Sequence, residues 1–218
     1  LWTLTINFLS WVAKAHTPLA QAVGDIFAAL ARTVCSGRQK DPKDPEWAVG
    51  ILASFETVGG TLSTARSLWS SASGGNSRTG SPRELELLSL IESADRVASE
   101  LVLCAEHISH FWAEPGMEAL HDPMAKAWTS LEKALDSMLT ALDSRHRDPQ
   151  REVSDLRTKV EEFSQRRESL RRQTMGDGES QAIASLLSAR AVVESLERIT
   201  SELERSGSLA IVLTPRTF

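Results

Sequence analysis

Three histidines near the middle of the chain are the residues whose spacing comes closest to metal-binding chemistry. His107 and His110 lie three residues apart in a predicted helix, and His121 follows just after a Pro-Gly turn. Histidines at this spacing can share a metal ion, and Glu106 and Glu114 are near enough to add carboxylate ligands. A paired-carboxylate site in a helical bundle, however, needs a second Glu-x-x-His motif, which is absent. We therefore predict no metal site and interpret the cluster as a polar helix end facing solvent.

A basic run further along the chain could bind anionic lipid headgroups or an acidic partner. It consists of Arg166, Arg167, Arg171 and Arg172. Glutamates interleaved with these arginines dilute the positive field and can form ion pairs one helical turn apart. The sequence therefore favours a solvated, ion-paired helix face at this position.

The sequence contains no recognisable catalytic motif. Its glycine pairs match neither a phosphate-binding loop nor a dinucleotide-binding fingerprint, and it has no nucleophile elbow or zinc-protease motif. We predict that the chain is not an enzyme, with no catalytic residues and no cofactor. A net charge of −5 argues against nucleic acid as a partner. The two cysteines, Cys35 and Cys104, are far apart and predict reduced, buried thiols.

The elements that would position these residues are helices, which the prolines delimit. Five of the eight prolines follow a residue that favours the N-cap of a helix: Thr17-Pro18, Asp44-Pro45, Ser81-Pro82, Asp122-Pro123 and Asp148-Pro149. Such a side-chain oxygen accepts a free N–H of the first turn, and proline suits the first helical position. Apolar residues at three- and four-residue spacing follow each pair. This pattern predicts an all-α fold, an antiparallel bundle of about six helices, in which an even number returns the chain to the end where it began.

The expected boundaries follow from these signals. The segment 2–36 forms one or two helices, divided at Pro18 if there are two. The other five helices are expected at Pro45 to Ser70, Pro82 to Trp112, Pro123 to Asp143, Pro149 to Gln173 and Glu179 to Arg205, the last stopped by Ser206-Gly207. Because Gly59-Gly60 costs about 2 kcal/mol of helix propensity, we expect a kink or a close helix contact there.

The domain organisation predicted from composition has three parts. Residues 1–17 form a membrane-proximal or leading helix, 18–206 the bundle with a flexible linker at 70–80, and 207–218 a C-terminal tail. No stretch reaches the roughly 20 apolar residues that span a bilayer. Trp2 and Trp11 either lie at a membrane interface or pack on neighbouring helices. Since the chain begins with Leu1, we expect it to be part of a longer protein. The apolar segment 209–213 is expected to be a short strand, a docking segment or the beginning of a further element.

The run of helices resembles the soluble cytoplasmic domain of membrane proteins of the fusaric acid resistance (FUSC, aromatic acid exporter-like) family. Four segments carry the resemblance: Thr17 to Val23 followed by Ile26 to Ala31, Ser81 to His107, Asp122 to Leu142, and Ala184 to Leu203. In that family a Pro-Leu pair follows the last membrane span, and Pro18-Leu19 is similar. The resemblance covers most of the chain but rests on helix pattern and order. It implies no catalytic or ligand-binding residues.

The resemblance implies the cytoplasmic helical domain of a multi-pass, efflux-type transporter, with a structural, oligomerising or regulatory role. Its partners would be a flanking membrane domain or another protein, with homo-oligomers and membrane contact through the N-terminal segment as further expectations. Its location would be the cytoplasmic face of the inner membrane. The alternative is a free-standing helical-bundle regulator that docks on a protein partner. The third hypothesis is an enzyme or metal protein built on His107 and His110.

Overall fold

A computed structural model describes residues 2–44, 46–72, 82–143, 148–174 and 180–213. Within these ranges, side chains are described from Pro18 to Ala210, except at positions 143, 174, 180 and 181. The described chain forms six helices: α1 (Trp2–Gln39), α2 (Glu46–Ala72), α3 (Pro82–Trp112), α4 (Glu118–Asp143), α5 (Gln150–Thr174) and α6 (Ser180–Leu213). The prediction of an all-α bundle of about six helices is confirmed. Within the described ranges, no helix is both long and apolar enough to cross a membrane.

The six helices pack around one hydrophobic core. α1 packs on α2, α3 and α4, α3 also packs on α2 and α6, and α6 also packs on α4 and α5, which pack on each other. Leu101 of α3 and Leu135 of α4, both predicted to be core residues, are 1% and 0% exposed. Among the described residues, α2 packs mainly on α1 and α3 and reaches α4 through the Trp47–Trp128 ring contact, so it lies at the edge of the bundle.

Proline pairs mark helix starts at some positions and lie inside helices at others. Asp44 and Asp148 each accept the backbone N–H two residues ahead at 2.9 Å, which confirms the predicted caps of α2 and α5. α3 begins at Pro82 as predicted, whereas its cap residue and positions 73–80 of the predicted 70–80 linker lie outside the described residues. Positions 70–72 of the predicted linker are instead the last residues of α2. The division at Pro18 is wrong, because α1 continues through it.

The predicted start of α4 at Pro123 is also wrong, since the helix begins at Glu118. Met117 and Leu120 are buried, and their burial draws the chain into helical register one turn before Pro123. The proline ring has no N–H to give to the carbonyl of Ala119 four residues back. Nε of Arg166, on α5, lies 3.4 Å from that carbonyl oxygen and donates to it. A neighbouring helix thus replaces the hydrogen bond that Pro123 removes.

Two predictions about glycines are corrected. α2 is continuous through Gly59-Gly60, and a Cβ atom at either glycine would meet no other described part of the chain within 4 Å. The prediction of a close helix contact is therefore wrong for the described residues, and the kink stays a prediction. α6 does not stop at Ser206-Gly207 but continues to Leu213, so residues 209–213 are helical rather than a strand. A Cβ at Gly207 would lie 3.2 Å from Cγ of Pro149. This glycine therefore permits the start of α5 to approach α6 closely.

The chain enters and leaves the bundle at the same end. A Cβ at Gly24, just past the middle of α1, would lie 3.8 Å from Cδ1 of Leu139, and one at Gly207, late in α6, would lie 3.7 Å from Sδ of Met138. Leu139 and Met138 are adjacent residues near the end of α4. Both terminal helices therefore pass the same level of α4, as an even number of antiparallel helices predicts.

Candidate functional site

The histidines singled out in the sequence do not converge on one point. His121 stacks on Trp112, with ring centroids 4.1 Å apart and an interplanar angle of 8°. Burial, and then the positive charge of Lys43, lower the pKa of His121, so the neutral ring is favoured. His110 is exposed, and His107 is partly buried. No group of three or more His, Cys, Asp or Glu in the described ranges is placed to hold a metal ion. The expectation of a polar helix end facing solvent holds for His110 but not for His121, because the ring of His121 is part of an aromatic stack.

Two tryptophans at the same end of the bundle fasten α1 to α2 and α4. Nε1 of Trp47 donates to the carbonyl oxygen of Gly37 at 2.7 Å, and Nε1 of Trp128 donates to that of Val34 at 2.9 Å. The Gly37 carbonyl belongs to the last turn of α1, where no helical N–H can reach it. The two indoles are tilted by 51° with centroids 6.2 Å apart. Beside them lies a cavity of about 130 Å³ that Trp112 also lines.

A buried polar network joins α3 to α6 across 109 residues of sequence. The carboxylate of Glu202 accepts the Ser93 hydroxyl at 2.9 Å and Nη2 of Arg96 at 3.1 Å, and it lies 3.2 Å from Nη1 of Arg205. The hydroxyl of Ser206 donates to Ser93 at 2.8 Å. Burial raises the pKa of Glu202, but the hydrogen bonds from Arg96 and Ser93 outweigh burial and lower it overall. Glu202 is therefore an ionised group in the folded protein at neutral pH.

The groove above this network, about 500 Å³ in volume, carries paired charges of both signs. Nε of Arg198 donates to Glu100 at 2.8 Å on its wall. An alternation of acidic and basic side chains that already neutralise one another offers no net field to attract a charged substrate. We interpret the groove and the polar network as a structural contact that holds α3 and α6 together.

The basic run of α5 is largely ion-paired, as the sequence indicated. Glu168 accepts both Nε and Nη2 of Arg171 at 2.8 Å and also Nε of Arg172 at 3.3 Å. These arginines lower the pKa of Glu168 to about 2. The adjoining groove between α5 and α6 has a volume of about 360 Å³ and holds the exposed side chains of Ile183 and Leu187.

The buried thiol of α3 is not an activated nucleophile. Cys104 is fully buried, and this burial strongly raises the pKa of its thiol. Cys35 is partly exposed, and a hydrogen bond with Glu132, followed by burial, raises its pKa as well. Both groups are therefore protonated near neutral pH. The prediction of a buried thiol is confirmed for Cys104 and is wrong for Cys35, which is partly exposed.

The chain matches no protein-family model, no curated protein and no solved structure.

Proposed function

We propose that this bundle is the cytoplasmic domain of a multi-pass, efflux-type membrane transporter of the FUSC kind, attached to its membrane part at one end. The role we assign to the domain itself is structural, oligomerising or regulatory. Transport would take place in the membrane part of the protein. The resemblance of four helical segments to that family motivates the proposal.

The observation that carries the proposal is the shared position of the chain's entrance and exit. Gly24 of α1 and Gly207 of α6 lie against adjacent residues of α4. A domain inserted between two membrane segments must return the chain to the side from which it came. The Trp47 and Trp128 anchors and the α5 arginine run would then lie at the end remote from the membrane.

The described polar groups also favour a non-enzymatic role. The buried polar network around Glu202 is closed by its own contacts, since the carboxylate accepts Ser93 and Arg96 and is paired with Arg205. The thiol of Cys104 is buried with a raised pKa, so it is a poor nucleophile. These features stabilise a rigid bundle, which is what a spacer or assembly domain requires.

Fractionation of the complete protein expressed from its native gene tests the proposal. We expect it in the membrane pellet after alkaline carbonate extraction. A cysteine at exposed Arg151 (Arg151→Cys, with Cys35→Ser) should react with a membrane-impermeant maleimide in inverted vesicles but not in intact cells.

A complete protein that remains in the soluble fraction would refute the proposal and favour the alternative of a free-standing regulator. Labelling of Arg151→Cys in intact cells would place the bundle on the opposite face of the membrane. The Arg151 position is suitable because it lies outside the polar networks described above, so the substitution should not disturb the fold.

A further inference from the structure

The outer face of α2 has features that no contact among the described residues explains. α2 is the edge helix, and within the described ranges it packs mainly on α1 and α3. Its buried side chains, among them Trp47, Val58 and Leu62, lie on one side. The opposite side carries small or apolar residues along its whole length: Val49, Leu52, Ala53, Gly60, Ser63, Thr64 and Ser67. Val49 and Leu52 on this side are 64% and 44% exposed.

Charge is nearly absent from this face. The 27 residues of α2 include only Glu46, Glu56 and Arg66 as charged residues. By helical spacing, Glu56 alone lies in the middle of the outer face, one turn before Gly60. The exposed face of a soluble helix ordinarily carries many charged residues, as α5 does here. An uncharged outer face with two exposed aliphatic side chains indicates a surface that another helix covers.

The two glycines in the middle of α2 support the same interpretation, namely that another helix covers this face. Gly59 and Gly60 together cost about 2 kcal/mol of helix propensity relative to alanine. Nothing in the described part of the chain lies within 4 Å of a Cβ at either one, so packing among these residues does not account for them. A bare backbone in mid-helix allows a second helix to cross at short distance, with Cα–H groups in contact with carbonyl oxygens.

We propose that α2 is a self-association surface, on which the α2 helices of two copies of this chain cross antiparallel near Gly60. The positions of the charged residues favour a second copy of this chain as the partner and an antiparallel direction for the two helices. In an antiparallel crossing centred on Gly60, Glu56 lies opposite Thr64 of the second copy, about 3 Å along the axis from Arg66 of that copy. In a parallel crossing, Glu56 would face Glu56 of the second copy without a counter-charge.

Arg66 is placed to accept this additional partner. Its Nη2 lies 2.7 Å from the carboxylate of Asp95 on α3, and both side chains remain about half exposed. A guanidinium group has five N–H donors, so Arg66 can bind Asp95 and a second carboxylate together. The symmetric dimer makes this contact twice. Because one helix pair buries less than the roughly 1,600 Å² of a standard interface, we expect a reversible dimer with a micromolar Kd.

The self-association surface involves only residues of α2 and α3, so the inference holds whether or not the chain belongs to a membrane protein. Sedimentation equilibrium of the 218-residue chain, from low micromolar to submillimolar concentration, measures it directly. We expect a monomer–dimer equilibrium. Gly60→Leu should raise the dimer Kd at least tenfold while leaving the melting temperature unchanged or higher, because leucine favours the helix and its Cβ would meet no described atom within 4 Å.

The matched control is Ser154→Leu on the exposed face of α5, which adds the same side chain to a different helix and should leave the dimer Kd unchanged. Disulfide trapping tests the direction of the crossing in a Cys35→Ser background. Gly60→Cys lies at the symmetry axis and should cross-link on oxidation. Ser71→Cys residues of an antiparallel pair lie about 33 Å apart and should not.

Three results would overturn the proposal. If the chain remains monomeric at every concentration, the α2 surface does not mediate self-association and a different protein segment must cover it. An unchanged dimer Kd in Gly60→Leu would place the interface elsewhere on the bundle. Cross-linking of Ser71→Cys as efficient as that of Gly60→Cys would show a parallel pair and remove the role assigned to Glu56 and Arg66.

Discussion

Substitution of Glu202 tests whether the buried network fastens α3 to α6. Glu202→Gln removes the charge but keeps one acceptor oxygen for Ser93 or Arg96, whereas Glu202→Ala removes both oxygens. Hydrogen bonds to a charged group contribute about 1.5–3 kcal/mol each. Arg96 is half exposed, so solvent screens its ion pair and the lower part of that range applies.

The hydrogen bonds that remain after the substitution determine how much the free energy of unfolding falls. Without the carboxylate, Ser93 can still donate to the backbone carbonyl of Glu202, which lies 3.2 Å away, and it still accepts the Ser206 hydroxyl. No buried donor is left without an acceptor. We therefore expect Glu202→Ala to lower the free energy of unfolding by about 2 kcal/mol and Glu202→Gln by about 1 kcal/mol at pH 7.

The dependence on pH distinguishes a charge effect from a packing effect. The folded-state pKa of Glu202 lies below its ordinary value. The ionised carboxylate therefore stabilises the fold above the unfolded-state pKa of about 4.3, and this contribution is lost as the pH falls through the folded-state pKa. The difference between the parent protein and Glu202→Gln should accordingly shrink as the pH falls below 4.

Urea denaturation at a series of pH values measures both effects. Glu197→Gln is the matched control, since Glu197 is an exposed glutamate on the same helix and borders the same groove. It should change the free energy of unfolding by less than about 0.5 kcal/mol. A Glu202→Gln variant as stable as the parent at pH 7, or a difference that does not vary with pH, would refute the reasoning.

Other predictions follow from the core, a crowded glycine and the histidines. Leu101→Ala and Leu135→Ala should each cost about 2–5 kcal/mol in the free energy of unfolding, whereas Leu103→Ala, at a 40% exposed position, should cost far less. Gly37→Ala should lower the melting temperature although alanine favours helices, because its Cβ would lie 2.8 Å from Cδ1 of an α2 isoleucine; a melting temperature at or above that of the parent would contradict this packing. After dialysis, metal analysis should find no stoichiometric zinc, iron or manganese, and one equivalent that disappears in His107→Ala would contradict the interpretation of the histidine cluster.

The helical architecture could be predicted from sequence because its signals are local. Apolar residues at helical spacing, with Asp44 and Asp148 as capping residues, depend only on neighbours in the chain, and both caps form as expected. Pro123 did not mark the start of α4, because whether a helix can continue through this proline depends on a residue far away in the sequence. Arg166, 43 positions away, supplies the donor that lets a helix continue through that proline.

The polar and aromatic anchors could not be predicted for the same reason. Ser93 and Glu202 are ordinary residues in their own helices, and only the packing of α3 on α6 brings them to 2.9 Å. Trp47 and Trp128 likewise carry no signal that each indole reaches a carbonyl of α1. The sequence did indicate the pairing of the α5 arginines, because a glutamate and arginines three and four residues apart are neighbours on any helix.

The shared end at which the chain enters and leaves the bundle underlies both the fold and the proposed function. Pulsed electron paramagnetic resonance between spin labels tests it directly, with labels on Gln21→Cys and Ser208→Cys, or on Gln21→Cys and Ala184→Cys, in a Cys35→Ser background. All three labelled positions are exposed. Ala184 and Ser208 are separated by about 36 Å along α6. The account predicts that the Gln21–Ser208 distance is clearly the shorter of the two. A shorter Gln21–Ala184 distance would place the two terminal segments at opposite ends and contradict it.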